Sequence, residues 1–294
     1  MAVEFTTFEV PGAREYFGNA LPYGLQVKQT ETTSDDPPVA DSVAALRTLG
    51  ESGKLKELLD RHGAVLVRGV GHPSADTFSK LVAAAEEGRG SHRHVQIGLA
   101  GKRTPLADNV WTANEGSPST RGATPIANSA NVFEKVQAEI PELVEEIHKR
   151  GLGMKMIFRA PGNEAKVNQF NWAGEHSFGQ ELLPGDDEAT TRQKVEKQVR
   201  KLTSDFKWNE DGSLELTQHI PDPPCVYGDE TPIPRRLLDK LIDVIDKEEI
   251  SLVLEEGDLL LVDNFQVSHG REPWEGQREI LVSMWDAVTP IGVF

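Results

Sequence analysis

Two side chains near the C-terminus have the types that metal and carboxylate chemistry requires. Both lie in the segment GDLLLVDNFQVSHGREPWEGQREILVSMWD, residues 257–286. Apolar residues up to Val262 read as a strand, Asp263 and Asn264 turn the chain, and His269 follows just before Gly270. A neutral imidazole at a strand mouth offers a directed lone pair that suits a borderline metal ion. A lone histidine is more often a solvated or core-satisfied residue, so the position alone does not decide. Arg278 opens the next apolar run. With a period of two, Arg278, Ile280, Val282 and Met284 share one face, and Glu279, Leu281, Ser283 and Trp285 the other. If the first face turns inward, a buried guanidinium needs an anion, and a ligand carboxylate is a bidentate partner. If Arg278 sits at an exposed strand end, Glu275 or Glu279 pairs with it instead. The pattern leaves both open.

The elements that must position these residues can be read upstream. Residues 28–40 (KQTETTSDDPPVA) are polar and Pro-rich and read as a surface loop. Residues 42–60 read as a helix that breaks at Gly50 or Gly53, and 64–69 (AVLVRG) as a buried strand. Residues 74–87 read as a helix with Ser74 as its N-cap. An apolar stripe from Val132 to Ile147 predicts one helix over 131–150. Further helices are expected over 188–203 and 234–247, with a hairpin turn at 209–213. After a turn at 256–258 come a buried strand, Leu259 to Val262, and another, Ile280 to Trp285. The fold class is therefore β-rich α+β, with a jelly roll compatible with the order of elements.

Composition narrows the partners. The 294 residues carry 47 acidic and 31 basic side chains, a net charge of −16, which repels phosphate backbones and anionic lipid. Nucleic acid and membrane are not expected as partners. The one cysteine, Cys225, excludes an internal disulfide and a cysteine metal cluster. Met1 to Val10 lacks a basic region followed by an apolar core, and a cytoplasmic setting is expected.

The segment HGREPWEGQREILVSMW (269–285) resembles the C-terminal motif of the taurine dioxygenase and clavaminate synthase-like family. RHGAVLVRG (61–69), GATPIANS (122–129) and WNEDGSL (208–214) are similar to further segments of that family, in the family's order. The similarity covers most of residues 55–290. It implies a double-stranded β-helix flanked by helices, iron(II) and 2-oxoglutarate as cofactors, and O₂ and a small molecule as substrates. By the same resemblance His269 is the distal histidine of the iron site. Thr124 hydrogen-bonds 2-oxoglutarate, Arg278 pairs with one of its carboxylates, and Arg271 is the alternative for that role. Family members often carry that arginine further along the strand, where this chain has Val282 and Ser283.

The family's other two iron ligands come from one His-x-Asp or His-x-Glu motif, and none of the eight histidines here has Asp or Glu two residues later. The motif belongs after VWTANEGSP (110–118), yet the chain passes from Ser119-Thr120-Arg121 straight to Gly122-Ala123-Thr124. Losing the intervening strands would leave unpaired edges inside a β-helix. The chain is therefore read as one oxygenase domain, 1–294, short of segments near 88–94, 121–122 and 220–227, with the ligands expected between Arg121 and Gly122. The alternative takes the string at face value, as a non-catalytic relative that binds a small molecule. A third reading is a metal-dependent β-barrel enzyme that does not use 2-oxoglutarate. Substrate and oligomeric state are not legible; a small amine or amino-acid-like substrate of secondary metabolism is the expectation.

Overall fold

The computed structural model describes residues 3–28, 39–70, 74–95, 97–98, 104–112, 123–162, 171–218, 226–270, 272 and 280–287. The chain forms two compact units, one of Met1–His94, Arg103–Glu134 and Val244–Phe294, the other of Val95–Lys102 and Lys135–Asp243.

The first unit is organised around the strand Ala64–Arg68, which runs parallel to Tyr23–Lys28 and antiparallel to Leu259–Val262. Glu4–Phe8 completes this four-stranded sheet on the far side of Tyr23–Lys28. Val65 and Val67 face one apolar layer with Leu46, Leu55, Leu58, Leu81, Val82, Leu259 and Leu261. Ala64 and Leu66 face a second, with Val10, Leu21, Ile126, Ile250, Leu252 and Val267. Burial on both faces is why this strand is a continuous apolar run rather than an alternating one.

Helices cover the first layer. The expected helix over 42–60 is two, Val39–Glu51 and Lys54–His62, parted at Gly53 with φ of 75°. The helix Ala75–Gly88 is capped by the Ser74 hydroxyl, which accepts from the Thr77 N–H at 3.1 Å. It packs against Val39–Glu51 so closely that a Cβ on Gly50 would lie 2.6 Å from the Ala85 carbonyl oxygen. Across the second layer stands a three-stranded antiparallel sheet of Ile250–Leu252, Thr124–Asn128 and Val267–His269. Among the described residues the sheets form no closed barrel.

The second unit is built on Leu152–Phe158, paired antiparallel with Leu214–Gln218 and Val226–Tyr227. Phe206–Trp208 and Leu214–Gln218 form the expected hairpin, closed by the Asn209 N–H donating to Ser213 O at 2.8 Å. The helix Glu188–Val199 starts at Asp187, whose carboxylate accepts from Thr190 N–H, and buries Val195 and Val199 against Phe158, Phe178, Leu214 and Leu216.

Two expectations are corrected. The stripe over 131–150 is not one helix but Ser129–Glu139 and Pro141–Arg150. Pro141 has no N–H to continue the first helix and drives Ile140 out of the helical region, to φ −135° and ψ 53°. The apolar stripe survives because both halves bury residues, Val136 in one and Leu143 in the other. The expected strand Ile280 to Trp285 is also two pieces, Leu281–Val282 against Val110–Thr112 and Trp285–Asp286 against His92–Arg93. The break falls at Ser283, whose hydroxyl accepts from Asn109 Nδ2 (3.1 Å) and Trp285 Nε1 (2.9 Å). Residues 280–286 are all half-buried.

The two-sided strand ends in an ion pair. Arg68 donates to Asp258 through Nε (3.0 Å) and a terminal nitrogen (2.9 Å), and the Asp258 side chain is 1% exposed. The hydrogen bond to Asp258 raises the Arg68 pKa against the opposing effect of burial. Arg68 keeps a second partner in Glu255, at 3.0 Å, so Asp258→Ala is expected to cost about 1–3 kcal/mol in urea unfolding, from the two lost charge-assisted hydrogen bonds. A loss below ~1 kcal/mol would mean that the pair contributes no more than a surface bridge.

Candidate active site

His269 is placed by a short relay of hydrogen bonds. The strand Leu259–Val262 ends at Asp263, whose N–H donates to Gly63 O at 2.8 Å. The Asp263 carboxylate accepts from Phe265 N–H (2.9 Å) and Gln266 Nε2 (2.8 Å), and its carbonyl from Val267 N–H (2.9 Å). Gln266 Nε2 also reaches Leu59 O at 3.1 Å, tying this turn to the helix Lys54–His62. The turn thereby reverses the chain into Val267–His269.

Gly63 makes that reversal sterically possible. It ends the helix Lys54–His62 with φ of 72°, and a Cβ there would lie 2.5 Å from a methyl of Val267. A left-handed conformation and a close approach coincide at one residue, a position only glycine fills without strain.

The strand pairing sets what His269 stands beside. Val267 pairs with Asn128, Ser268 with Ala127 and His269 with Ile126. Pairing runs on past the strand, with Gly270 N–H donating to Pro125 O (2.9 Å) and Glu272 N–H to Ala123 O (3.0 Å). On the other side Ile250 pairs with Ile126 and Leu252 with Thr124. By the period of two, Thr124, Ile126, Asn128, Val267, His269, Ile250 and Leu252 share one face. Its middle is apolar and buried, through Ile126, Val267, Ile250 and Leu252. His269 is exposed and Thr124 half-buried. The two are diagonal neighbours, about 7–8 Å apart at the backbone.

The opposite face carries different chemistry. Ser251 donates to Glu272 Oε1, and the Ser129 and Ser268 hydroxyls are 3.3 Å apart. Asn128, on the His269 face, serves the backbone, its Oδ1 accepting from Asn131 N–H at 2.9 Å where the helix Ser129–Glu139 begins. Burial, then Asp246 and Glu272, push the nearby Glu249 carboxyl above its ordinary range.

Of the residues singled out in the sequence, His269 and Thr124 are thus brought together on one sheet face. Arg278, Arg271 and the Arg121–Gly122 junction lie outside the described residues. Tested as a metal centre, the described residues hold no group of three His, Cys, Asp or Glu side chains suited to an ion. The donor set supplies one imidazole where an iron site of two histidines and a carboxylate needs two more ligands. The Asp263 turn was legible in the sequence. The demand on Gly63 was not, because it comes from Val267, far away in the chain.

The profile of the taurine catabolism dioxygenase TauD/TfdA family matches residues 110–285, more than half of the chain. The chain belongs to that family. A clavaminate synthase-like protein of Arabidopsis thaliana is 24% identical, over 78% of this chain and 83% of its own length. The dapdiamide synthesis protein DdaC of Enterobacter agglomerans is also 24% identical, over 80% of this chain and 86% of its own. Among solved structures, AAD-2 in complex with Mn(II) and N-oxalylglycine is similar at a TM-score of 0.44 and 12% identity, over 95% of this chain and 99% of that one. The Arabidopsis alignment runs over 290 positions but takes in only 78% of 294 residues, so roughly 60 positions fall where this chain has no residue.

Replacing Gly63 tests the reversal that presents His269. Gly63→Ala is expected to destabilise the protein by about 2–4 kcal/mol in chemical unfolding, from αL strain plus the overlap with Val267. In a double-mutant cycle, Gly63→Ala and Val267→Ala together should cost less than the sum of their separate losses. Strict additivity would locate the strain in the helix cap alone.

Proposed function

We propose that the protein is an iron(II)- and 2-oxoglutarate-dependent oxygenase acting on a small molecule, built on a double-stranded β-helix. Membership of a dioxygenase family is the observation that carries this reading. The sharing of one sheet face by His269 and Thr124 supports it. His269 would ligate the iron through a neutral imidazole. The Thr124 hydroxyl would hydrogen-bond 2-oxoglutarate, and Arg278, or Arg271 in its place, would pair with a carboxylate of that co-substrate. Iron(II) with 2-oxoglutarate and O₂ supplies the oxidation of an unactivated C–H bond, with hydroxylation as the default outcome and desaturation or ring closure as variants. The chain's own tasks are to hold the co-substrate, orient the substrate and keep water out.

The two ligands that this chain lacks belong, on this reading, to a His-x-Asp or His-x-Glu motif between Arg121 and Gly122. The roughly 60 alignment positions without a counterpart here support the idea that internal segments are absent from the sequence. The intact mass of the protein isolated from its source is then expected several kilodaltons above 32.4 kDa. A mass of 32.4 kDa would reject the missing motif and favour the second reading, a family member that binds a small molecule without oxidising it. That reading rests on the absence of any His-x-Asp or His-x-Glu in the 294 residues.

Anaerobic titration of the intact protein with Fe(II) and 2-oxoglutarate should give a visible charge-transfer band that His269→Ala abolishes. Thr124→Val and Arg278→Ala should each weaken 2-oxoglutarate binding, the arginine change by about tenfold or more. An unchanged affinity in Arg278→Ala together with a loss in Arg271→Ala would move the carboxylate to Arg271. No effect of either would point to a metal enzyme independent of 2-oxoglutarate.

A further inference from the structure

The strand that carries His269 is anchored from one side. Among the described residues Val267–His269 is the outer strand of its three-stranded sheet, paired only with Thr124–Asn128. Val267 is fully buried, whereas Ser268 and His269 are exposed. Burial does not hold the imidazole, so the course of the backbone leading into it decides where it stands.

Gln266, the residue before this strand, is tied to three segments at once. Its N–H donates to Asp263 O at 3.0 Å, within the turn. Its carbonyl accepts from Ser129 N–H at 2.9 Å, where the helix Ser129–Glu139 begins. Its side-chain Nε2 donates to the Asp263 carboxylate (2.8 Å) and to Leu59 O (3.1 Å), in the helix Lys54–His62. Both neighbours of Nε2 only accept, so the amide nitrogen, with its two hydrogens, is the end that must face them. The side chain is half-buried, and its Cβ lies 3.5 Å from where a Cβ on Gly63 would be. Gln266 is thus pressed against the helix end that it also bonds.

We propose that Gln266 is a positioning residue for His269: its amide ties the Asp263 turn to the helix Lys54–His62 and so sets where the imidazole stands. Gln266 acts through the backbone of the next three residues and needs no contact with a reactant. A side chain of equal length without donors would leave the turn held by backbone bonds alone, and an outer strand paired on one side would then shift or fray more easily. This role rests on the reading of His269 as a site residue.

Two variants test it in the full chain. Gln266→Met keeps the length of the side chain and removes both donors, and Gln266→Lys returns donors to the same acceptors. Hydrogen exchange is read at the Val267 and Gly270 amides, which donate to Asp263 O and Pro125 O, and at Val65 and Leu66 in the central strand. Gln266→Met should speed exchange at Val267 and Gly270 about tenfold and leave Val65 and Leu66 unchanged, and Gln266→Lys should restore most of the protection. In anaerobic titration with 2-oxoglutarate, Gln266→Met should raise the Fe(II) concentration for half of the charge-transfer band about tenfold. Equal acceleration at all four amides, unchanged exchange at Val267 and Gly270, no difference between the two variants, or an unchanged Fe(II) requirement would each overturn the proposal. Absence of the band in the unaltered protein would overturn the iron assignment instead, and the exchange rates would still decide the role of Gln266.

Discussion

Everything in the first unit depends on a strand with no solvent side. Ala64 to Val67 bury both faces, so the sheet behind them and the sheet before them must both be complete for either to be stable. That constraint explains why the ends of this strand are so tightly specified. At one end Arg68 is locked to Asp258; at the other Gly63 ends a helix and accepts the Asp263 N–H. The segment that carries His269 is held against residues two hundred or more positions earlier in the chain.

Much of this arrangement was legible in the sequence because it is local. The run AVLVRG, the N-cap Ser74, the hairpin at 209–213 and the helix beginning near Pro234 each follow from a few neighbouring residues. Gly53 was one of two marked breakpoints and is where the helix parts. The errors arose where one pattern hid two elements. An apolar stripe continued through Pro141 although the backbone could not, and the run after Ile280 changes partner at Ser283. The strands Glu4–Phe8, Tyr23–Lys28 and Leu152–Phe158 are least apparent from the sequence, the latter two because Gly24 and Gly153 lie inside them.

The candidate site shows the same division. His269 and Thr124 were named from a family resemblance, and the register of three strands sets them on one face. No pattern in the sequence relates residue 124 to residue 269; that relation exists only through hydrogen-bonded pairing. Conversely, the shortage of iron ligands is purely a matter of sequence and needs no structure to see. The family profile and the missing motif therefore describe one chain from two sides, its ancestry and its inventory.

Gly63 has a further consequence in time rather than in space. The turn that leads into His269 packs on the helix end formed by residues 54–63, so it has no surface to close on until that helix is in place. Contacts of such long sequence separation are slow to form, because the chain must close a large loop before gaining anything from them. The histidine end of the sheet thus depends on contacts that close a loop of about two hundred residues, the slowest kind for a chain to form.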